Sequence, residues 1–337
     1  MLRFGIIGAG LKAAEYARGW TAMPDVEIAA LAEVDAACRT RLSDICAGAG
    51  RPRPAEYDSD QAMLSARAHA LDAVYVSTPH VFHAANALAV IDAGLDLLLE
   101  KPMVTTVAEA LALVDAEKRS GRTIVIAYQG GLSPLVHDTI ARARRGEFGE
   151  LVSVSASIWE GWAKNYAGHW KQKPGISGGG FMFDTGAHMM NTVCVLADAE
   201  FERLCAFTNN RGLDVDLACA VAARLSNGAL VTFNAAGDGP PGCASAITLF
   251  YSNAIVRIDA WGGWREVAIG GGTAAREVNE IVDTPMHTFK AVRDGRMPNP
   301  STVTNGLRFA RLWDAIKASA AADGKSIAVD DGRTLHR

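Results

Sequence analysis

Residues 2–13 read LRFGIIGAGLKA, and this stretch decides how the first part of the chain folds. The apolar run Arg3–Ile7 predicts a buried strand, and a helix is expected after Gly10. Between them lies Gly8-Ala9-Gly10-Leu11-Lys12-Ala13, which fits the pattern G-x-G-x-x-G/A. In that pattern the first glycine permits a tight turn, the second lets the backbone approach a pyrophosphate, and the last small residue allows close helix–strand packing. The helix start offers N–H groups to phosphates, so these residues are candidate contacts of a dinucleotide.

An acidic residue follows at the spacing that a dinucleotide site requires. A second strand is predicted at Val26–Ala32, and Glu33 comes directly after it. A carboxylate there can accept hydrogen bonds from both ribose hydroxyls of an adenosine and would repel a 2′-phosphate, which favours NAD over NADP. Arg39 and Arg41 follow closely and could admit a 2′-phosphate, so NADP is not excluded. The alternative is a tight turn followed by a solvent-facing glutamate.

The chain alternates strands and helices as far as residue 127. Further strands are predicted at Ala73–Val76, Asp96–Leu99 and Thr123–Ala127, with helices at Leu11–Met23, His80–Ala93 and from the capping box Thr106–Glu109 to Gly121. This alternation is typical of an α/β fold with a doubly wound parallel sheet. We therefore expect a Rossmann domain over residues 1–127.

The pattern changes over residues 128–337, which we interpret as a second domain. Helices are predicted from Ser133-Pro134 to Gly146, at Asp184–Leu196 and at Val303–Ala322, with strands at Leu151–Trp159, Asp216–Leu225, Ala229–Asn234, Ala244–Tyr251 and Ile255–Ala260. Asn227-Gly228 is typical of a two-residue hairpin turn between two of these strands. The series of alternating runs indicates an antiparallel sheet.

Composition narrows the class of protein. A chain of 337 residues is long enough for two domains, and a net charge of −4 without a basic stripe argues against nucleic acid as a partner. No window approaches 18 consecutive apolar residues, so no membrane span is expected. Six scattered cysteines without a Cys-x-x-Cys pair, together with a first segment that lacks the features of a signal peptide, predict a cytoplasmic location.

Lys101 is the first candidate catalytic residue. It lies in Glu100-Lys101-Pro102, directly after the predicted strand Asp96–Leu99. In a doubly wound sheet the carboxyl ends of the strands face the ligand crevice. An ammonium there can hydrogen-bond a substrate hydroxyl or carbonyl and take part in proton transfer. A lysine that simply lies at the surface after an apolar strand is the alternative.

Asp184 and His188 form the second candidate pair. They are four residues apart in GGGFMFDTGAH (residues 178–188), so one helix face would carry both. A histidine beside a carboxylate is a plausible proton acceptor. A helix cap with a core histidine, or half of a metal site, are the alternatives. No further ligands follow at useful spacing, so no metal is expected. His69, His137, His287 and His336 are expected to have no role in the site.

The combination of motifs is more specific than any one of them. The chain resembles the glucose–fructose oxidoreductase, inositol dehydrogenase and rhizopine-catabolism (Gfo/Idh/MocA) oxidoreductases. The residues that carry the resemblance are Ser77-Thr78-Pro79-His80-x-x-His83, Ala93-Gly94, Glu100-Lys101-Pro102, Trp170-Lys-Gln-Lys-Pro174-Gly-Ile-Ser177-Gly-Gly-Gly180, Asp184 and His188. The resemblance extends over nearly the whole chain.

The resemblance implies a Rossmann domain, a C-terminal α+β domain with an open, mainly antiparallel sheet, and homodimers or homotetramers formed through that sheet. It implies hydride transfer between NAD and a secondary alcohol or ketone of a sugar, cyclitol or related polyol, with Lys101 and His188 handling the hydroxyl proton and Asp184 orienting substrate and base. The cofactor contacts that it adds to those of the glycine motif and Glu33 are Ser77, Thr78, Pro79, His83, Glu100, Lys101 and Gln129.

Two positions depart from the family pattern. Many relatives have arginines or an asparagine where this chain has Tyr128-Gln129-Gly130-Gly131, and many have an aspartate at the position of Asn191. The proposed proton-transfer residues are all present. The departures concern the identity of the substrate and the local geometry of the site.

An aromatic loop, Trp159–Trp170, is the candidate for substrate recognition. Trp162, Tyr166 and Trp170 could supply a sugar-stacking wall or a lid, and with Lys101, Asp184 and His188 they form the predicted substrate-binding set. The same aromatics could instead anchor the loop to the core or to a partner subunit.

Two other functions compete with a dehydrogenase. Some relatives use NAD transiently to cleave glycosides, with oxidation followed by re-reduction and no net cofactor turnover. A non-catalytic NAD-binding sensor is the third hypothesis, and the presence of Lys101, Asp184 and His188 counts against it.

Overall fold

The computed structural model describes residues 1–280 and 284–330, so His336 lies outside the described part. It divides into two compact units. The first comprises residues 1–104, 108–127 and 284–303, and the second comprises residues 105–107, 128–280 and 304–330. The chain passes from the first unit to the second between Ala127 and Tyr128 and later returns to the first unit with residues 284–303.

The first unit is built on a parallel sheet of six strands with the order β3-β2-β1-β4-β5-β6. The strands are β1 (Leu2–Ile7), β2 (Val26–Ala32), β3 (Ala55–Tyr57), β4 (Ala73–Val76), β5 (Asp96–Leu99) and β6 (Ile124–Ile126). This order is that of the Rossmann fold, which confirms the predicted fold class. The edge strand β3 was not predicted, because three half-exposed residues do not form an apolar run.

The helices of the first unit follow the strands as crossovers. They are α1 (Leu11–Trp20), α2 (Ala36–Gly48), α3 (Asp60–Arg67), α4 (His83–Asp92) and α5 (Val107–Ser120). Strands β4 and β5 are almost wholly buried, as expected when helices cover both faces of a sheet. In the order β3-β2-β1-β4-β5-β6 the direction of winding reverses between β1 and β4. Ligands bind at such a switch point, outside the carboxyl ends of the strands.

The second unit contains a sheet of nine strands with the order β14-β13-β12-β11-β7-β10-β9-β8-β15. The strands are β7 (Leu151–Glu160), β8 (Phe201–Asn209), β9 (Ala218–Leu225), β10 (Leu230–Ala236), β11 (Cys243–Tyr251), β12 (Ala254–Ile258), β13 (Trp264–Ile269), β14 (Arg276–Val278) and β15 (Ile327–Ala328). Strands β7 and β10 are parallel and the other neighbours are antiparallel, so the sheet is mainly antiparallel, as predicted. The hairpin at Asn227-Gly228 joins β9 to β10, but its loop also includes Ser226, because the Leu225 N–H donates to the Ala229 carbonyl.

The helices of the second unit between residues 128 and 200 are α6 (Gln129–Leu132), α7 (Pro134–Arg144), α8 (Trp162–Asn165), α9 (Pro174–Ser177), α10 (Phe181–Asp184) and α11 (Gly186–Leu196). Helices α10 and α11 pack on the nine-stranded sheet. Helix α11 packs on β7 and β11, where Val154, Ala156 and Ile158 are buried. The opposite face of β7 carries Ser155 and Ser157, which are exposed.

Two helices near the end of the chain belong to different units. They are α12 (Thr284–Arg293) and α13 (Val303–Ala321). In the first unit the Phe289 ring packs edge-on against Phe4 of β1, with ring centroids 5.6 Å apart. In the second unit Phe309 of α13 packs on Tyr128 and Phe183. None of the helices in residues 1–280 and 284–330 has both the length and the apolar composition that crossing a bilayer requires.

Candidate functional site

The turn after β1 has the shape that the glycine motif predicts. Gly8 has φ +90°, and a Cβ added there would lie 2.7 Å from the Ser77 carbonyl carbon and from the Thr78 nitrogen. The Ser77 N–H donates to the Ile7 carbonyl at 2.8 Å, and the Ser77 hydroxyl donates to the Gly8 carbonyl at 3.1 Å. The ends of β1 and β4 therefore meet at the switch point, and only glycine fits between them.

The start of α1 is open. Gly10 occupies the N-cap position, no side chain caps the helix, and a Cβ built on Gly10 would meet nothing within 4 Å. Leu11 is 74% exposed, whereas Ala13 is fully buried against the sheet. An uncapped helix start with open space in front of it fits a diphosphate group, because the first N–H groups of a helix and its dipole both favour an anion.

Glu33 is attached to this turn by its carboxylate. Its Oε2 accepts the Ala9 N–H at 2.8 Å, and its Oε1 accepts the Asp35 N–H at 2.9 Å. Arg39 and Arg41, because of which the sequence does not exclude NADP, lie beside Glu33. Arg41 donates to the Ala9 carbonyl at 2.9 Å, and Arg39 donates to the Glu33 carbonyl. The turn, the acid and both arginines therefore form one cluster in the first unit.

Glu100 supports the lysine that follows β5. Glu100 is 7% exposed, and its carboxylate accepts hydrogen bonds from the Tyr75 hydroxyl at 2.9 Å and from the Lys101 N–H at 3.1 Å. Burial raises the pKa of Glu100, and the positive charge of Lys101 opposes this rise. The Lys101 side chain itself is partly exposed. A buried acid therefore holds the backbone of a lysine that reaches solvent.

His83 supports the backbone that follows β5 and also the backbone that follows β4. Its Nδ1 lies 2.8 Å from the Pro102 carbonyl oxygen and its Nε2 lies 2.8 Å from the Thr78 carbonyl oxygen. The ring is 1% exposed, and burial lowers the pKa of His83 although both carbonyl oxygens favour the protonated form. Both ring nitrogens of His83 are thus engaged with backbone carbonyls, and its contact with the cofactor stays a prediction. The Thr78 hydroxyl is likewise bonded to Asn86, at 2.8 Å.

Asp184 is the most enclosed carboxylate of the predicted set. It is 1% exposed, and its Oδ2 accepts hydrogen bonds from the Trp162 indole N–H at 2.8 Å and from the Lys171 ammonium at 2.7 Å. The Lys171 ammonium also lies 4.2 Å from the centre of the Tyr166 ring, and its side chain is 18% exposed. The sequence analysis did not assign a role to Lys171, because a lysine inside an irregular loop carries no periodic signal.

The aromatic loop divides into a buried part and a partly exposed part. Trp162 is fully buried against Phe181 and Tyr166, and its indole N–H supports Asp184; a contact of its ring with substrate stays a prediction. Tyr166 and Trp170 are partly exposed. They are the members of the predicted stacking set whose rings reach the surface of the second unit.

His188 lies on α11, one turn after Asp184. The single helix predicted over Asp184–Leu196 is replaced by α10 and α11, which are separated at Thr185. Thr185 keeps helical dihedral angles, φ −79° and ψ −38°, so the four-residue spacing remains that of one helix face. The His188 ring is 8% exposed and lies 5.6 Å from the ring of Trp261, measured between centroids.

Asp216 anchors the start of α10. Its side-chain oxygens accept the N–H groups of Gly180 at 2.7 Å and Met182 at 2.9 Å, and its carbonyl accepts the N–H of Phe181 at 2.8 Å. Burial raises the pKa of Asp216, and the two backbone donors oppose this rise. No sequence signal assigned this residue, which approaches the glycine run from a segment 36 positions away.

Both departures from the family pattern lie in the second unit. A Cβ on Gly130 would lie 2.0 Å from Thr192 Oγ1 and 2.3 Å from the Ala260 carbonyl oxygen, so a side chain cannot fit there. Asn191 is 1% exposed, and its amide has no hydrogen-bond partner within the described ranges. An aspartate at this position would bury a charge, which the neutral amide avoids. Gln129, at the start of α6, is partly exposed.

Among the described residues no group of three or more histidines, cysteines, aspartates or glutamates is placed to hold a metal ion. The order of the first sheet, the open helix start and the acid after β2 define the class of the protein: it is a dinucleotide-binding protein of the Rossmann type.

Comparison with known families narrows this class. Residues 2–128 match the model described as "Oxidoreductase family, NAD-binding Rossmann fold", and residues 139–257 match the "GFO/IDH/MocA C-terminal domain". The chain belongs to the Gfo/Idh/MocA oxidoreductase family, and its N-terminal unit is an NAD-binding domain.

Curated relatives match over part of their length. A glycosyl hydrolase family 109 protein of Streptomyces coelicolor is 30% identical over 156 residues, which are 45% of this chain and 33% of that protein. An oxidoreductase of Formosa agariphila is 31% identical over 128 residues, which are 37% of this chain and 40% of that protein. The chain thus spans between a third and two fifths of the length of these relatives.

Solved structures share the fold over almost the full chain. Levoglucosan dehydrogenase in complex with NADH and levoglucosan superposes with a TM-score of 0.84 at 19% identity, covering 98% of this chain and 100% of that one. The aldose–aldose oxidoreductase of Caulobacter crescentus in complex with glycerol has a TM-score of 0.80 at 21% identity, covering 97% and 99%. At this identity the similarity demonstrates a common fold.

Proposed function

We propose that the protein transfers hydride between NAD and a secondary alcohol or ketone of a sugar, cyclitol or related polyol. The observation that carries this proposal is the setting of Asp184: a buried carboxylate, held by Trp162 and Lys171, one helical turn before His188. A buried carboxylate with two donors is costly to maintain for structure alone, and such groups concentrate at functional sites. The names of the two solved structures of the same fold, both sugar oxidoreductases, support the substrate class.

The proposed roles follow from the chemistry of each group. Bound NAD supplies the hydride acceptor or donor. Oxidation of a secondary alcohol also releases the hydroxyl proton, and His188 accepts it as a neutral imidazole. Lys101 donates a hydrogen bond to the reacting oxygen, and Glu100 holds the lysine backbone from within the sheet. Asp184 accepts hydrogen bonds and orients the groups around it, while Tyr166 and Trp170 contact the substrate.

The proposed cofactor contacts are those of the glycine turn, of Glu33 and of the β4 and β5 ends. The turn residues Gly8, Gly10, Leu11, Lys12 and Ala13 cradle the diphosphate, and Glu33 accepts the ribose hydroxyls. Ser77, Thr78 and Pro79 contribute backbone at the switch point, Glu100 and Lys101 follow β5, and Gln129 opens α6.

A substrate screen tests the proposal. Purified protein is mixed with NAD or NADP and a panel of sugars, cyclitols and open-chain polyols. The absorbance of the reduced cofactor is then followed over time. We expect steady NADH formation with at least one cyclic or open-chain polyol and weaker activity with NADP.

The Lys101→Ala variant tests the proposed role of Lys101 in proton transfer. Turnover should fall by about 100- to 10,000-fold, because a positioned proton-transfer group contributes that much, while NAD still binds through the remaining cofactor contacts. Near-normal turnover in Lys101→Ala would remove this residue from the reaction. Binding of NAD without turnover of any panel member would favour a sensor over an enzyme.

A second function is supported by the relatives. Several curated relatives are named glycosyl hydrolase family 109 proteins, which favours NAD-assisted cleavage of a glycoside as the alternative. Release of the aglycone from nitrophenyl glycosides, dependent on NAD but without net NADH, would support this alternative. Steady NADH formation from free polyols with no aglycone release would support the dehydrogenase.

The remaining proposals concern assembly and location. The exposed face of the nine-stranded sheet is proposed to form a homodimer or homotetramer, because small residues such as Ser155 and Ser157 line it. All six cysteines lie in the described residues and are free, which supports a reducing, cytoplasmic location. Neither a nucleic acid nor a membrane is proposed as a partner.

A further inference from the structure

The loop of residues 259–263, between β12 and β13, carries an aromatic residue that the sequence analysis did not assign. Trp261 lies at the centre of this loop, and its ring centroid is 5.6 Å from that of His188, with an angle of 47° between the planes. The two residues are 73 positions apart in the sequence but belong to the same unit. The proposed base therefore has an indole as its immediate neighbour.

The backbone on both sides of Trp261 is held by side chains from three other elements. The Ala260 carbonyl accepts the Thr192 hydroxyl of α11 at 2.8 Å, and the Ala260 N–H donates to Ser245 of β11 at 2.8 Å. The Gly262 carbonyl accepts the Ser133 hydroxyl, at the start of α7, at 2.6 Å. Since hydrogen bonds flank it on both sides, the indole is carried by a preorganised support.

The absence of a side chain at Gly130 is part of the same arrangement. A Cβ there would collide with both partners of the Thr192–Ala260 hydrogen bond, at 2.0 and 2.3 Å. A side chain at this position would therefore break the bond that fixes the Trp261 loop against α11. The departure from the family pattern at Gly130 and the placement of Trp261 beside His188 are thus physically linked.

The partial exposure of the Trp261 ring allows it to contact a ligand. Trp261 is partly exposed, in contrast to Trp162, which is fully buried. A tryptophan face is a large, rigid apolar surface, and its indole N–H adds a polar edge. A pyranose or cyclitol ring presents a continuous C–H face that can lie flat on such a surface, whereas an open-chain polyol has no rigid face to match it.

We propose that Trp261 is a specificity-determining residue: its ring packs on the C–H face of a cyclic substrate whose hydroxyl faces His188. The proposal rests on the proposed polyol dehydrogenase function and narrows its substrate to ring compounds. It requires Trp261 to act on recognition of the substrate rather than on proton transfer or on NAD.

The test compares Trp261→Leu, which removes the aromatic face, with Trp261→Phe, which keeps one. The matched control is Trp264→Leu: Trp264 follows in the same hairpin, is also partly exposed, and packs under the Arg276 guanidinium instead of His188. The substrates are myo-inositol and methyl α-glucoside against the open-chain polyols glucitol and mannitol. Thermal unfolding and the Kd for NAD are measured for every variant.

For Trp261→Leu we expect kcat/KM on the ring substrates to fall about tenfold or more, mainly through KM, and to change less than about threefold on the open-chain polyols. Trp261→Phe should retain most of the preference, and Trp264→Leu should leave the ratio of ring to open-chain kcat/KM unchanged. Unchanged ring preference in a folded Trp261→Leu variant would overturn the proposal and leave the dehydrogenase function standing.

A binding measurement separates the two proposals. Saturation-transfer NMR detects the binding of methyl α-glucoside and myo-inositol whether or not either is oxidised. Ring binding that is present in the wild type and lost in Trp261→Leu, without turnover of any panel member, would support Trp261 as a recognition residue while rejecting the dehydrogenase. No ring binding and no ring turnover by the wild type would overturn the role of Trp261.

Discussion

One carboxylate oxygen of Asp184 accepts two side-chain hydrogen bonds in the second unit. Asp184 Oδ2 accepts both the Trp162 indole N–H and the Lys171 ammonium, while the whole side chain is 1% exposed. Removal of one partner from a buried ion pair is costly because it leaves the other charge without compensation. Lys171 is therefore expected to act as a positioning residue, which holds the Asp184 carboxylate in one orientation.

Lys171→Met should lower kcat by about 100-fold, because displacing a positioned group by a small distance costs on that order, with a smaller effect on KM. Lys171→Arg should restore a substantial part of kcat, since a guanidinium can also donate to the carboxylate. Steady-state kinetics over a range of pH would check this, with NAD binding measured in parallel.

Lys173→Met is the matched control, because Lys173 is two residues further along and exposed. It should leave kcat within about twofold, as surface charges contribute little. Equal losses in the two variants, or no rescue by arginine, would contradict the positioning role of Lys171.

At the scale of elements, α10 depends on a partner from outside its own segment. The helix has four residues and no side-chain cap of its own, and Asp216 supplies the acceptors for the N–H groups of Gly180 and Met182. Since α10 ends at Asp184 and α11 begins at Gly186, any shift of this start moves the Asp184 carboxylate. The short connection thus links a buried aspartate in another segment to the candidate site.

Asp216→Asn is predicted to destabilise the protein by about 1–3 kcal/mol, because an amide turns one acceptor into a donor and leaves a buried N–H unsatisfied. The free energy of unfolding in urea measures this change. Asp214→Asn, an exposed aspartate two residues earlier, should change it by less than about 0.5 kcal/mol. An Asp216→Asn variant as stable as the wild type would show that the two hydrogen bonds contribute no net stability.

At the scale of the whole molecule, the nine-stranded sheet has an exposed face opposite the one that α11 covers. The exposed residues at its centre are small, and apolar side chains lie near its border, where Phe207 is 57% and Leu230 is 58% exposed. The small exposed residues are Ser155, Ser157, Ala220, Ala222, Thr232 and Asn234. A surface of this composition is suited to self-association through a two-fold axis.

We predict that Ala220→Arg converts the proposed oligomer to monomers, because a two-fold interface would bury two copies of the new charge. Size-exclusion chromatography with light scattering measures the mass. Ala66→Arg, on the exposed side of α3, is the control and should leave the mass unchanged. A wild type that is monomeric, or an Ala220→Arg variant with the wild-type mass, would rule out this face as the interface.

Local patterns in the sequence were sufficient to predict the fold and the cofactor of the first unit. The glycine motif, the apolar runs of β1 and β2, and Glu33 at the end of β2 predict the fold class, the cofactor and their position, because each signal depends on neighbours within one βαβ unit. The motif around Lys101 was also recognised, but the partners that hold it were not. Tyr75 reaches Glu100 across the sheet, and His83 holds the Pro102 carbonyl.

Tertiary structure alone decided the surroundings of the remaining site residues. Lys171 meets Asp184 across 13 positions, Asp216 meets Gly180 across 36, and Trp261 meets His188 across 73, and no periodicity links residues in different elements. Burial of Trp162 and its hydrogen bond to Asp184 are likewise features of the tertiary structure that the loop sequence does not indicate. The sequence determined which chemical groups are present and which elements carry them. Packing between elements determined which of these groups touch, because contact and burial depend on how distant segments fill the same space.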